Sequence, residues 1–415
     1  MDKSIFIDGK IENGLNIDYK AVKKIYDGLG VPEGFYKIPW GAIRNGNKYM
    51  IPLSQRSTGK TTNVILLGLC MSKWSEWKIQ ICYVRPTEGE LSQSHAERLV
   101  DVINTYKDGH YIKTLTDGKY NCLVWHWRQF FFANRDADGK LVDRAERSVI
   151  QCLSVDRAND YKSTLNMPYG DLIIYDEFIG QRYRPDEAIR FFDLTKTIIR
   201  SRLSPIIFMC ANTISVTSQY FEELEISREV KRLQLGEKKE IVTERGTRIY
   251  IELVDQKALS KTDSKIGIIN SLFYGFKNPK LASITGGELF AFDSVPHILP
   301  KMDSDREIVK NLYIETVGEL LQVEFKYNDV LGYHLEVHRA SRTYEDSIIL
   351  SVKHETDSRY HFGFGTDNIE RIISSAIRQQ NIYFSSNEVG AIFYDYINRV
   401  YAERKIGRAS CRERV

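Results

Sequence analysis

Hydrophobic and polar positions divide the chain into three parts. Up to residue 228, short apolar runs suited to buried strands alternate with helical patterns. The runs are Tyr49–Leu53, Ile79–Arg85, Val149–Val155, Asp171–Tyr175 and Pro205–Ala211, and helical spacing covers Lys60–Ser72, Leu91–Tyr106 and Pro185–Arg202. Strand and helix in alternation predict an α/β domain over residues 1–228 with a mainly parallel sheet. Residues 229–300 are rich in charge and then punctuated by Gly and Pro, which predicts a connector. Residues 301–405 predict a second, smaller α/β domain. Its strands are Leu320–Lys326, Gly332–His338 and Ser347–Val352, followed by helix Ile369–Gln379, strand Ile382–Phe384 and helix Asn387–Tyr401.

Composition narrows the function classes. With 415 residues, of which 42% are hydrophobic and 12% aromatic, the chain can bury a sizeable core, which excludes a disordered or fibrous protein. A formal charge of +3 excludes a uniformly basic nucleic-acid clamp, so any basic surface is local. The longest apolar run, Val64 to Met71, cannot span a bilayer. The N-terminus has no secretory pattern, and the chain reads as soluble and intracellular. The six cysteines are scattered without a CxxC pair, and most read as small core residues, Cys411 in the C-terminal tail being different. Residues 406–415 resemble a translated sequencing adaptor and are set apart from the fold.

The sharpest chemical signal is Ser54-Gln55-Arg56-Ser57-Thr58-Gly59-Lys60-Thr61, with Thr62 beside it, between a predicted strand and helix. It keeps the GxxxxGK[ST] phosphate-loop pattern except for its first glycine, here Ser54. Backbone N–H groups at the helix N-terminus cradle phosphates. Gly59 admits close approach, Lys60 reaches the β- and γ-phosphates, and the Thr61 hydroxyl is a Mg²⁺ ligand. Asp171-Leu-Ile-Ile-Tyr-Asp-Glu177 is an apolar strand ending in two carboxylates. Asp176 is expected to hold the metal and Glu177 to polarise the attacking water. A third strand ends at Asn212-Thr213, where Asn212 is expected to sense the γ-phosphate. Together these predict a P-loop NTPase of the additional-strand type, using ATP and Mg²⁺.

Several stretches together resemble the DNA encapsidation ATPases of small tailed phages, relatives of the terminase large subunits. They are the phosphate loop with its internal Arg56, Ile81-Cys-Tyr-Val-Arg-Pro86, Ile174-Tyr-Asp-Glu-Phe-Ile179, Thr197-Ile-Ile-Arg-Ser-Arg202 and Ala211-Asn-Thr-Ile-Ser-Val-Thr-Ser-Gln-Tyr-Phe221. The resemblance covers about residues 45–225 well and the last hundred loosely. It implies an ATP-driven translocase of double-stranded DNA. The enzyme would work as a homo-oligomeric ring in the host cytoplasm, docked on the portal of a phage prohead, with no membrane; a structural packaging RNA is left open. It also implies that Arg200 is an arginine finger given to a neighbour's nucleotide and Lys162 a second trans-acting basic residue. Arg56 is a cis candidate for the same charge neutralisation.

For the second domain the strand and helix order is compatible with an RNase H-like fold. A two-metal nuclease needs a full set of acids. Glu324, Glu388 and Asp395 are candidates, but Ile382–Phe384 runs into Ser385-Ser386-Asn387 where another acid is wanted. The expectation is a degenerate nuclease fold without cutting activity. Two rival readings stand beside it: a terminase with a working nuclease, and a nucleotide-dependent switch that does not translocate. Three motifs are set aside. Asn134–Gly139 lacks the Glu of a calcium loop and predicts a hairpin tip. Trp125-His-Trp127 predicts strand packing, and Gly363-Phe-Gly365 is no dinucleotide fingerprint.

Overall fold

The computed structural model describes residues 15–54, 59–180, 184, 186–212, 218–255, 296–298, 307–316, 319–328, 332–352 and 357–412. The chain forms two compact units. The first comprises residues up to 180 with 186–213 and 232–269; the second comprises 181–185, 214–231 and everything from 270 onward.

The first unit is built on nine strands. They are β1 (Tyr49–Ser54), β2 (Ile81–Arg85), β3 (Cys122–His126), β4 (Gln129–Arg135), β5 (Leu141–Ser154), β6 (Leu172–Asp176), β7 (Ile206–Asn212), β8 (Lys238–Val242) and β9 (Arg248–Leu253). Their order across the sheet is β3-β4-β5-β2-β6-β7-β1-β9-β8. The six strands from β5 to β9 are parallel, and β3, β4 and β8 join as antiparallel edges. Every residue of β6 but the last is buried, as a parallel strand covered on both faces requires. Helix Lys60–Trp74 buries eleven of its fifteen residues against this sheet. It approaches so closely that a Cβ on Gly68 would lie 2.6 Å from the Ile81 side chain and 2.7 Å from that of Leu172.

β7 lies between β1 and β6, so the phosphate-loop strand and the carboxylate strand are separated by one strand, the additional-strand arrangement expected from the sequence. Register aligns their ends: Ser54 pairs with Asn212, Asp176 with Cys210, and Tyr175 with Val84. In open parallel sheets, the crevice beyond such carboxyl ends is where ligands bind. Two stretches differ from the sequence expectation. β5 begins at Leu141, eight residues early, because it forms a hairpin with β4 whose turn ties Asp136 Oδ1 to the Asp138 and Lys140 amides at 3.1 and 2.8 Å. Residues 238–253, read as connector, form the β8–β9 hairpin. Exposed and half-buried positions alternate along β8, a two-residue period that its run of charges obscures.

The second unit holds a mixed sheet of β10 (Glu307–Thr316), β11 (Glu319–Asn328), β12 (Gly332–Arg339), β13 (Ile349–Ser351), β14 (Tyr360–Phe362) and β15 (Ile382–Phe384). The order is β14-β13-β10-β11-β12-β15, with β10, β11 and β12 antiparallel and the rest added in parallel. Val323, Leu335, Val337 and Leu312 form a core with residues of helices Asp367–Gln379 and Asn387–Arg412, including Ile373 and Phe393. Helices Gln219–Glu223 and Ser227–Arg232 belong to this unit. Arg399 fixes the first through two bonds to Glu222, 2.7 and 3.0 Å long, and Lys231 of the second pairs with Glu319 at 2.8 Å. Among the described residues no helix is long and apolar enough to cross a membrane.

Candidate functional site

At the carboxyl edge of the first sheet, β1 ends in Ser54 and helix Lys60–Trp74 begins directly after Gly59. Gly59 has φ +70, and a Cβ there would sit 2.0 Å from Phe35, so only glycine serves this turn. Gln55, Arg56, Ser57 and Thr58 lie outside the described residues, as does Thr213. Lys60 is buried, and its ammonium donates to Ser54 Oγ. The serine that replaces the usual first glycine of the motif thus supplies an oxygen that glycine lacks. Burial brings the Lys60 pKa down to about 8 against the opposing pull of Cys210, Asp176 and Glu177.

Thr61 Oγ1 donates to Asp176 Oδ1 at 2.8 Å, which joins the phosphate-loop helix to the end of β6. The other oxygen, Asp176 Oδ2, accepts from Tyr83 OH at 2.8 Å and from Arg85 at 3.2 Å. Glu177 leaves the strand with φ +54, a conformation unusual for a residue of its size, and its N–H donates to Cys210 O at 2.8 Å. Its carboxylate accepts from Arg85 at 2.7 Å, while Arg85 Nε also reaches Glu90 at 3.2 Å. Burial opposes the Arg85 charge, but Tyr83, Asp176 and Glu177 outweigh it and hold the guanidinium protonated. A cavity of about 310 Å³ opens here, and its lining includes Thr61, Thr62, Tyr83, Arg85, Asp176 and Glu177 together with Trp125 and Phe130.

Lys60, Thr61, Asp176 and Glu177 therefore converge, and Asn212 is in register with Ser54 on the adjacent strand. Arg200 and Lys162 do not line this cavity. Arg200 is exposed with φ +51 at the end of helix Glu187–Ile199, and it donates to Leu165 O at 3.2 Å. That helix runs from beyond β6 back toward the start of β7, so Arg200 lies at the opposite edge of the sheet from Asp176. Lys162 pairs with Asp193 on the same helix at 2.7 Å. Hard oxygen donors at Thr61 and Asp176 suit Mg²⁺. Sequence reasoning missed Tyr83 and Arg85. Their alternation on β2 was the available signal, since it puts both on one face of the strand next to β6.

In the second unit the candidate acids are engaged by cations. Glu324 pairs with Lys326 at 2.7 Å and lies 3.5 Å from His338, and these two hold its carboxyl well below the usual range. Glu388 pairs with Arg339, and Asp395 with Arg399 at 2.9 Å. Glu324, Glu336 and His338 have ligating atoms within 4.8 Å of one another, yet the Lys326 ammonium bridges the two glutamates at 2.7 and 2.9 Å. Trp125 packs edge-on against Phe130, in line with the packing expectation, whereas Trp127 at the tip of the β3–β4 hairpin is 84% exposed.

No family model and no curated protein matches the sequence. Solved structures do match the fold, and they include phage DNA-packaging ATPases and terminase large subunits. The Phi-28 gp11 DNA packaging motor is 15% identical with a TM-score of 0.51, over 88% of this chain and 98% of that one. The N-terminal domain of the DNA packaging ATPase from bacteriophage phi29 is 21% identical with a TM-score of 0.39, over 55% and 99%. The large terminase ATPase domain of Thermus phage P74-26 is 12% identical with a TM-score of 0.36, over 64% and 97%. At these identities what is shared with the gp11 motor is the fold.

Proposed function

We propose that this chain is an ATPase that drives double-stranded DNA into a preformed phage capsid, working as a ring docked at the portal. The observation that carries the reading is the Thr61–Asp176 hydrogen bond, with Lys60 and Glu177 beside it, at the carboxyl edge of an additional-strand sheet. The fold shared with the gp11 motor supports the packaging context.

Lys60 and the helix N-terminus after Gly59 would bind the β- and γ-phosphates, with Arg56 a candidate to add charge there. Thr61 and Asp176 would hold Mg²⁺, which neutralises charge on the triphosphate when bound. Glu177 would take a proton from the attacking water. In the resting arrangement Arg85 pairs with its carboxylate, so activation requires that ion pair to open. Arg200 stands at the opposite edge of the sheet from Asp176, which supports its role as a group offered to a neighbour, and Lys162, paired with Asp193, is a candidate for the same role. Asn212, beside Ser54, is the candidate sensor of the γ-phosphate. Pairing of Glu324, Glu388 and Asp395 with basic side chains supports a second domain that grips rather than cuts DNA.

Glu177→Gln is the direct test. The variant is expected to bind ATP with wild-type affinity and to hydrolyse it at least a hundredfold more slowly; undiminished turnover overturns the assignment. Lys60→Ala and Arg200→Ala subunits, each inactive alone, should recover activity on mixing. No recovery refutes the trans finger.

A further inference from the structure

We propose that Tyr83 is a positioning residue for the metal-holding carboxylate: its phenol fixes Asp176 so that the opposite oxygen faces Thr61 and the metal. The inference rests on the reading of this cleft as a Mg-ATP site. The two oxygens of Asp176 are held by different kinds of group. Oδ1 faces the phosphate-loop helix through Thr61 at 2.8 Å. Oδ2 faces β2, where Tyr83 OH donates at 2.8 Å and Arg85 at 3.2 Å.

Tyr83 and Arg85 are not equivalent anchors. Arg85 divides its donors among Asp176, Glu177 and Glu90, so any movement that frees Glu177 also disturbs its hold on Asp176. Tyr83 is 6% exposed, sits in the middle of a parallel strand paired on both sides, and makes its bond from a rigid ring. When Arg85 moves, the phenol remains as the fixed reference for the carboxylate plane. Hydrogen bonds of this kind, one shell out from a metal, orient the ligand and commonly set metal affinity by 10- to 100-fold.

The test is Tyr83→Phe in the full chain, which removes one oxygen and keeps the ring. Binding of a fluorescent ATP analogue is measured as Mg²⁺ is titrated, and again in excess chelator. The half-saturating Mg²⁺ concentration is expected to rise about tenfold or more. Metal-free analogue binding and the thermal midpoint stay close to wild type. At saturating Mg²⁺ the kcat recovers most of its wild-type value, the signature of a metal-affinity defect. An unchanged Mg²⁺ midpoint with normal analogue binding overturns the role of Tyr83 and leaves the ATP site intact. A wild-type chain that binds no analogue with or without Mg²⁺ overturns the ATP-site reading itself. An equal loss of metal-free and metal-dependent binding also refutes the proposal, because it marks a general packing defect.

Discussion

Replacing Lys60 with methionine should abolish nucleotide binding and yet make the nucleotide-free protein more stable. The ammonium is buried, and burial lowers its pKa from 10.5 to about 8. At about 1.4 kcal/mol for each pH unit, keeping that charge at neutral pH costs the folded state about 3 kcal/mol. Methionine preserves most of the stem volume and removes the charge. It also removes the bond to Ser54, a loss of about 1–2 kcal/mol. The net gain is roughly 1–2 kcal/mol, or about 2–8 °C in the midpoint of a unit this size. The pH dependence identifies the cause. Because the folded pKa lies below that of an exposed lysine, the unfolded chain binds more protons between about pH 8 and 10.5. Wild-type stability from this group therefore rises through that window as the folded chain sheds its buried charge, and the full penalty stands below pH 8. Thermal unfolding of both proteins at pH 7 and pH 10, with and without Mg-ATP, reads this out. The variant's advantage should shrink at pH 10, and ATP should stabilise only the wild type. A less stable variant at pH 7, or an advantage independent of pH, refutes the reasoning.

Three further outcomes follow from packing and backbone geometry. Arg399→Ala leaves Glu222 and Asp395 without their shared cation and should cost the second unit about 3–5 kcal/mol; the Glu222→Gln/Arg399→Met double variant should lose less by thermal unfolding. Gly68→Ala should destabilise the first unit by roughly 1–3 kcal/mol despite alanine's better helix propensity, because the added methyl meets Ile81 and Leu172. Trp127→Asn should raise stability by roughly 0.5–1 kcal/mol, since the exposed indole occupies a left-handed turn position (φ +47) that asparagine tolerates better; a drop in the melting midpoint counts against this.

The first unit was legible where periodicity and chemistry coincide. β1, β6 and β7 are apolar runs that end in Ser54, Asp176 and Asn212, so strand type and site chemistry announce themselves together. Arg85 and Tyr83 were hidden because a strand-end arginine and a buried tyrosine look like ordinary residues until register places them against Asp176. β8 and β9 were hidden because the alternation of exposed and half-buried positions on β8 is masked by consecutive charges in a charge-rich stretch. β14, three residues long, carries no pattern of its own and exists through pairing with β13. The role of Phe35 against Gly59 is a tertiary contact that spacing does not encode.

The path of the chain between its units has a consequence for synthesis and for recombination. After β7 the backbone enters the second unit for helices Gln219–Glu223 and Ser227–Arg232, returns to add β8 and β9, and leaves again. On the ribosome, the nine-stranded sheet therefore lacks a neighbour for one edge of β1 until residue 253 has emerged. A gene fragment ending near residue 228 would leave β1 unpaired on one side. Exchanging the second unit between related chains by one crossover would break a sheet or strand a helix. A functional chimera needs the two helices and the distal segment to travel together, with the intervening hairpin left behind.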